Sequence, residues 1–118
     1  MRCVSDAESL FYHKKPYVLQ EAVVPLIGRG KCKEAYGNFI TKKMQCAGYI
    51  KGGSDACKGD SGGPLSCRGI DGRWRIFGVV SWGWNHFCQQ TKANVPTVYM
   101  KVERYVNWIH STIAYGEC

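Results

Sequence analysis

Residues 55–65 read DACKGDSGGPL, and this stretch places Ser61 inside a glycine-rich loop. Glycine allows backbone conformations that a side chain would forbid, and it leaves the neighbouring N–H groups uncovered. Uncovered N–H groups that point to one place can stabilise an oxyanion, so a serine beside them is a candidate nucleophile for acyl transfer. An isolated Gly-Asp-Ser-Gly would instead favour a simple turn with a solvent-facing serine, and the rest of the chain decides between these interpretations.

The segments that follow this loop are typical of a β-hairpin. Residues 64–68 and 74–82 are rich in apolar residues and are predicted to be strands. The Gly-Ile-Asp-Gly of residues 69–72 lies between them, and an Asp-Gly in that place is a strong hairpin signal. Residues 51–63 contain five glycines and are predicted to form a loop.

The rest of the chain predicts further short strands and one terminal helix. Strands are predicted over residues 18–27, with Pro25 at an edge or a bulge, and over residues 45–50 and 97–102. A short helical turn is predicted over residues 31–36. An amphipathic helix reaching Ala114 is predicted from apolar residues at helical spacing, namely Val102, Tyr105, Val106 and Ile109. Residues 1–16 are polar and predicted to be irregular, so the fold is expected to be mostly β.

Seven cysteines in 118 residues leave a choice between a metal site and a disulfide framework. Zinc ligands usually come in closely spaced pairs, whereas the closest two cysteines here are Cys57 and Cys67. Disulfides are therefore favoured, and they imply an oxidising compartment. The residues after Met1 include no apolar run typical of a signal peptide. The odd cysteine count and the missing signal peptide together predict that this sequence is the C-terminal piece of a longer protein.

Charge and hydropathy exclude several classes of protein. Sixteen Lys and Arg against nine Asp and Glu give a net charge of +7, but no run of five basic residues occurs. A solvated basic surface is therefore favoured over a nucleic-acid site. The longest apolar runs are much shorter than the roughly 20 residues that a membrane helix needs, so no membrane span is expected.

Several motifs beyond the serine loop resemble the chymotrypsin/trypsin-like serine proteases. Gly59-Asp60-Ser61-Gly62-Gly63-Pro64 is similar to the family's active-serine motif, and Ser81-Trp82-Gly83 follows on the next predicted strand, as in that family. Pro96-Thr97-Val98-Tyr99 before the terminal helix also resembles the family's ending. The resemblance covers residues 1–118 and is weakest over residues 1–16. It implies the C-terminal Greek-key β-barrel of a two-barrel serine protease, followed by a C-terminal α-helix.

The resemblance also implies a role for each matching residue. Ser61 would be the nucleophile, and the N–H groups of Gly59 and Ser61 would form the oxyanion hole. Asp60 would receive the N-terminal ammonium that zymogen cleavage releases. Asp55 would lie at the base of the specificity pocket and favour Arg or Lys in the substrate. The pocket and its mouth would be lined by Ser81, Trp82 and Gly83. Implied disulfides are Cys32–Cys46, Cys57–Cys88 and Cys3–Cys67, which leaves Cys118 over.

Two departures from the family pattern qualify these roles. The family supplies its catalytic His and Asp from an N-terminal barrel, and neither motif occurs here, so this chain alone is expected to lack efficient catalysis. Thr97 stands where trypsin-like members carry Gly, and it would narrow the pocket above Asp55. Cleavage after Arg or Lys remains the favoured preference. The alternative is a non-catalytic protease homologue that acts as a secreted binding module.

The resemblance implies partners and a location as well. The expected partners are polypeptide substrates, protein protease inhibitors and the missing N-terminal barrel of the same protease, with no nucleic acid. The complete protein is expected to be secreted. No cofactor and no metal site are implied.

Overall fold

A computed structural model describes residues 2–6, 21–48, 61–83 and 96–116 of the chain. These residues form seven β-strands and two α-helices, with short 3₁₀ turns at Gly37–Phe39 and Val102–Arg104. In chain order the elements are β1 (Arg2–Asp6), β2 (Glu21–Val23), β3 (Leu26–Ile27), α1 (Arg29–Tyr36), β4 (Met44–Ala47), β5 (Pro64–Arg68), β6 (Trp74–Trp82), β7 (Thr97–Lys101) and α2 (Val106–Ala114).

The seven strands form one antiparallel sheet in the order β2-β1-β5-β6-β7-β4-β3. The two edge strands, β2 and β3, are separated in the chain by only Val24 and Pro25. Val24 donates its N–H to the carbonyl of Cys3, and Gly48 donates its N–H to the carbonyl of Pro25. Because two adjacent residues are bonded to opposite ends of the sheet, the sheet must curl onto itself. The predicted β-barrel fold with a C-terminal helix is confirmed.

The prediction of one strand over residues 18–27 is wrong in the part that the structure describes. Residues 21–27 form two strands, and the chain bends between them at Pro25. Proline cannot donate to a ladder and is found at edges and bulges, which accounts for the break at this position. What was predicted as one strand therefore supplies both edges of the sheet.

The prediction that residues 1–16 are irregular is wrong for residues 2–6. These residues form β1, which lies between β2 and β5. The inward-facing side chains of β1 are Cys3 and Ser5, which are buried, and they are not the β-branched residues that usually indicate a strand. Ser5 Oγ accepts a hydrogen bond of 3.0 Å from the Tyr99 hydroxyl, which accommodates a polar atom in the core.

Most other element predictions are confirmed with small shifts of their ends. The strand predicted over residues 45–50 is β4, Met44–Ala47, and residues 49–60, which include most of the predicted loop, lie outside the described residues. β5 and β6 have the predicted bounds, and residues 69–72 form the turn between them, with Gly72 at a φ of +78°. α1 begins two residues before the predicted helical turn. The terminal helix begins at Val106, since Val102 lies in a 3₁₀ turn. Neither helix in the described part of the chain is long enough to cross a membrane.

Two buried clusters stabilise the sheet. The first lies inside the curl and includes Leu65, Val80 and Tyr99. The second places α1 against β3, β4 and β7, through Cys32 and Tyr36 on the helix and Val98 on the sheet. Cys32 and Tyr36 are four residues apart, so they share one helix face. This packing brings the C-terminal end of α1 next to the end of β6.

Candidate active site

The loop that carries Ser61 is bonded to the C-terminal part of β6. Gly62 donates its N–H to the carbonyl of Val80 at 2.9 Å, and Val80 donates its own N–H to the carbonyl of Gly63 at 2.9 Å. Gly62 has a φ of +83°, a conformation that favours glycine strongly over residues with side chains. Ser61 is exposed to solvent. The backbone therefore places the exposed Ser61 beside residues 81–83, where β6 ends.

Ser81 is an extra residue in the pairing of β6 with β7. Val80 lies opposite Tyr99 and Trp82 lies opposite Val98, so Ser81 has no counterpart on β7. This is a β-bulge, a feature that changes the direction of a strand and occurs often at barrel rims and beside active sites. The bulge shifts the register at the end of β6, so that Trp82 pairs with Val98 and packs against the buried cluster around α1.

Tyr36 is a site residue that the sequence did not reveal. Its ring packs edge-to-face against Trp82, with centroids 4.8 Å apart, and its hydroxyl donates a hydrogen bond to the carbonyl of Pro96. Tyr36 is only 2% exposed. The spacing of Tyr36 from Cys32 could have indicated an inward-facing side chain, because a disulfide-bonded Cys32 fixes that helix face toward the core.

Tyr36, Gly83 and Thr97 surround one small space. A Cβ placed on Gly83 would lie 3.6 Å from the Tyr36 hydroxyl oxygen and 3.8 Å from Cα of Thr97. These are ordinary contact distances, so a Cβ at this position would touch both residues without a clash. Thr97 is 8% exposed and begins β7 opposite Ala47. The structure thus brings the predicted residues Trp82, Gly83 and Thr97 together.

Several predicted site residues lie outside the described part of the chain. They are Asp55, Gly59 and Asp60, together with the Cys57–Cys88 bridge and Cys118. Their roles stay predictions. Within the described residues, His110 is exposed on α2 and forms no hydrogen bond with Ser61. His13 and His86 also lie outside the described residues.

Two of the implied disulfides are present in the structure. Cys3 and Cys67 lie directly opposite each other on β1 and β5 and are bonded. The bond between Cys32 and Cys46 joins α1 to β4. The second bridge fixes the helix that carries Tyr36, so it belongs to the support of the site as well as to the fold.

The one described titratable group with a large pKa shift lies at the far end of β6. The guanidinium of Arg75 donates two hydrogen bonds to the Asp71 carboxylate, at 3.0 and 2.6 Å, and Arg73 donates its N–H at 3.1 Å. These bonds lower the pKa of Asp71 from 3.8 to about 2, and the bonds from Arg75 are the main cause. The pair stabilises the hairpin turn and contributes no group to the site.

Comparison with known proteins identifies the family. The family model described as Trypsin matches residues 3–109. Transmembrane protease serine 7 of Mus musculus is 53% identical over 97 residues, which are 81% of this chain and 11% of the mouse protein. Anionic trypsin of Bos taurus is 46% identical over 99 residues, 84% of this chain and 36% of the bovine protein. The chain spans much less than half of these relatives. Since the family model covers most of the chain, the chain belongs to the trypsin family of serine proteases.

Proposed function

We propose that this chain provides the nucleophile of a trypsin-like serine endopeptidase, with Ser61 attacking the scissile carbonyl to form an acyl-enzyme. The observation that supports this proposal most directly is the pair of backbone hydrogen bonds between residues 62–63 and Val80. They set the exposed Ser61 beside residues 81–83, the segment that would pair with the substrate backbone. A solvent-facing serine in a free turn would need no such attachment.

The oxyanion of the tetrahedral intermediate would be stabilised by the N–H groups of Gly59 and Ser61. Loss of one such donor lowers turnover by roughly 10²–10³-fold. Asp60 would order this site by pairing with an N-terminal ammonium released on activation. This pairing would make the oxyanion hole form only after the zymogen has been cleaved.

The general base would come from an N-terminal barrel that precedes this chain in the complete protease. A serine hydroxyl needs a base within hydrogen-bond distance, about 2.6–3.2 Å. The chain covers 36% of bovine anionic trypsin, so more than half of that relative lies outside the matched region, which is enough sequence for a further barrel. We therefore propose that the 118-residue chain alone is inactive.

The substrate preference would be for Arg or Lys before the scissile bond. Asp55 would pair with the cationic side chain through a charge-assisted hydrogen bond. The closeness of Thr97 Cα to Gly83 supports a narrow entrance, because both walls approach the same space. Thr97 would therefore lower the rate with long basic side chains relative to a pocket that has glycine there.

An extracellular location is proposed on the basis of the two disulfides, since such bonds persist in oxidising compartments. Release into the medium is a separate question. One relative is named a transmembrane protease and another a trypsin, so secretion stays a prediction. Fractionation of expressing cells into medium and membrane would test it.

The catalytic proposal is tested by labelling with a fluorophosphonate probe, which reacts with activated serines. The native protein is captured from its source with an antibody against residues 69–75, activated and labelled, and the modified peptide is mapped by mass spectrometry. We expect modification at Ser61, and none in the recombinant 118-residue chain. Native protein that contains an upstream barrel and is not labelled would favour the non-catalytic homologue.

The preference is tested separately by profiling the activated native protease on a peptide library. We expect enrichment of Arg or Lys before the cut, and loss of that enrichment in Asp55→Ser. Thr97→Gly should raise kcat/KM for Arg substrates relative to small apolar ones. Equal cleavage after all residue types would refute the role of Asp55 while leaving Ser61 catalysis intact.

A further inference from the structure

Thr97 carries a buried hydroxyl group that has no hydrogen-bond partner among residues 2–6, 21–48, 61–83 and 96–116. Its side chain is only 8% exposed. Ser5, the other buried serine or threonine in these ranges, instead accepts a hydrogen bond of 3.0 Å from the Tyr99 hydroxyl. Buried polar groups are nearly always paired, so the Thr97 hydroxyl requires an explanation.

The Thr97 side chain faces the inside of the curled sheet, at the point where β7 begins. Thr97 lies opposite Ala47, which belongs to the buried cluster inside the curl. Tyr99, two residues later on the same strand, belongs to that cluster as well. Because successive side chains alternate along a strand, Thr97 and Tyr99 share the inward face of β7. The hydroxyl is therefore placed just inside the rim of the barrel.

Thr97 also lies next to the segment that would pair with the substrate backbone. A Cβ built on Gly83 would lie 3.8 Å from Thr97 Cα. The other edge of β6 is bonded, through Val80, to the loop that follows Ser61. Residues 81–83 thus lie between the loop of the candidate nucleophile and the strand of Thr97. A substrate side chain that enters the barrel beside Gly83 therefore meets the Thr97 hydroxyl.

We propose that Thr97 makes the protease prefer lysine to arginine before the scissile bond, because its hydroxyl accepts a hydrogen bond from the lysine ammonium. This preference rests on the protease activity proposed for Ser61 and adds one contact to it. A lysine ammonium is compact and carries three donors, so it can pair with a carboxylate and still donate to a neutral oxygen. The hydroxyl then gains from the substrate the partner that the described residues do not supply.

Arginine fits the same place less well because of its shape. The guanidinium is planar, and its five N–H donors have a fixed geometry that needs a wide slot with acceptors in one plane. The branched side chain of Thr97 occupies room that a glycine would leave open at this position. A site built around a particular polar contact discriminates against a substrate that leaves its polar group unpaired.

The test measures kcat/KM of the activated complete protease on two peptides that differ only in having Lys or Arg before the cut. Two substitutions separate the hydroxyl from the width of the side chain. Thr97→Val removes the hydroxyl and keeps the branched shape, whereas Thr97→Ser keeps the hydroxyl and removes the methyl group. The matched control is Thr112→Val, which removes a hydroxyl that bonds to the Trp108 carbonyl on α2. Fluorophosphonate labelling of Ser61 gives the concentration of active enzyme in each sample.

The expected result is a preference for lysine that the two variants reduce in different ways. The unmodified protease should cleave the lysine peptide at least about tenfold faster than the arginine peptide, the size of effect expected for a hydrogen bond to a charged group. Thr97→Val should lower kcat/KM for the lysine peptide about tenfold and change that for the arginine peptide less than about threefold. Thr97→Ser should keep the rate with lysine and raise the rate with arginine. Thr112→Val should change neither rate.

Other outcomes would overturn the proposal. Cleavage of the arginine peptide as fast as the lysine peptide by the unmodified protease would do so, while leaving the role of Asp55 intact. Equal losses with both peptides in Thr97→Val would do so too, because the hydroxyl would then support the pocket without contacting the substrate. Labelling of Ser61 without cleavage of either peptide would refute basic specificity altogether. Absence of Ser61 labelling would refute the catalytic proposal, and the lysine preference with it.

Discussion

The two ends of β6 are stabilised in opposite ways. At the hairpin end, the side-chain bonds join residues that are two to four apart in the chain, such as Asp71 to Arg75 and Arg68 to Gly72, and they are exposed. At the end that leads to Ser81, the bond from Tyr36 to Pro96 joins residues sixty apart and is buried. The hairpin end of β6 is therefore stabilised by residues that are its neighbours in the sequence. The end at Ser81 is stabilised by contacts between segments that are distant in the sequence.

This difference has a consequence for function. A local, solvated turn can change without disturbing the core, because each lost contact is replaced by water. The other end depends on packing among α1, β6 and β7. Water does not reach these buried contacts, so a gap or an unpaired polar atom there lowers the stability directly. The candidate active site lies at the end that is sensitive to distant substitutions, and the variants below test that asymmetry.

The largest effect is expected when the buried aromatic at the site end is removed. Tyr36→Ala deletes a side chain that is 2% exposed and leaves a cavity beside Trp82 and Val98, so it should lower the free energy of unfolding by about 3–5 kcal/mol. Ile70→Ala, at the fully exposed tip of the hairpin, should change it by less than about 0.5 kcal/mol. Urea unfolding of the full chain, with disulfides intact, measures both.

Similar losses from these two substitutions would contradict the asymmetry. That result would mean that the hairpin tip packs on something in solution, or that α1 is not anchored by Tyr36. Circular dichroism before unfolding distinguishes a destabilised chain from one that fails to fold.

The hairpin end could be predicted from the sequence because its contacts are local. The apolar content of residues 64–68 and 74–82 and the Asp-Gly that begins at Asp71 together predict strand, turn and strand. The same reasoning missed β1, since its short inward-facing set, Cys3 and Ser5, is stabilised by a bridge to Cys67 and a hydrogen bond from Tyr99. Neither partner can be read from residues 2–6 themselves.

The candidate site could be predicted only in part, for the same reason. The motif around Ser61 is one continuous stretch of sequence, and so is the segment 81–83. The family resemblance therefore identifies both. The bulge at Ser81 depends on the register between two strands, and the position of Tyr36 depends on how α1 packs. Both require knowledge of which distant segments meet, and no local pattern contains that information.

A smaller effect is expected when single hydrogen bonds to carbonyls are compared at the two ends. Tyr36→Phe keeps the ring but leaves the Pro96 carbonyl without this donor, which should cost about 1–2 kcal/mol because the group is buried. Arg68→Met keeps the aliphatic stem and removes an exposed bond of 3.0 Å to Gly72, so its cost should stay below about 0.5 kcal/mol. Urea midpoints with unchanged slopes give the comparison, and a larger loss for Arg68→Met would reverse the order proposed for the two ends.

The smallest effect is expected at the exposed ion pair of the hairpin, and it depends on pH. Because the pKa of Asp71 is lower in the folded chain, its stabilisation is fully present above about pH 4 and disappears as the pH falls toward about 2. Asp71→Asn should therefore be slightly less stable than the unmodified chain at pH 6, and the difference should shrink as the pH is lowered to 2. Glu103→Gln, at a residue without an ion pair in the described chain, is the control. A difference in the free energy of unfolding between Asp71→Asn and the unmodified chain that stays constant between these pH values would contradict this. The Asp71 side chain would then stabilise the hairpin through the geometry of the turn and not through its charge.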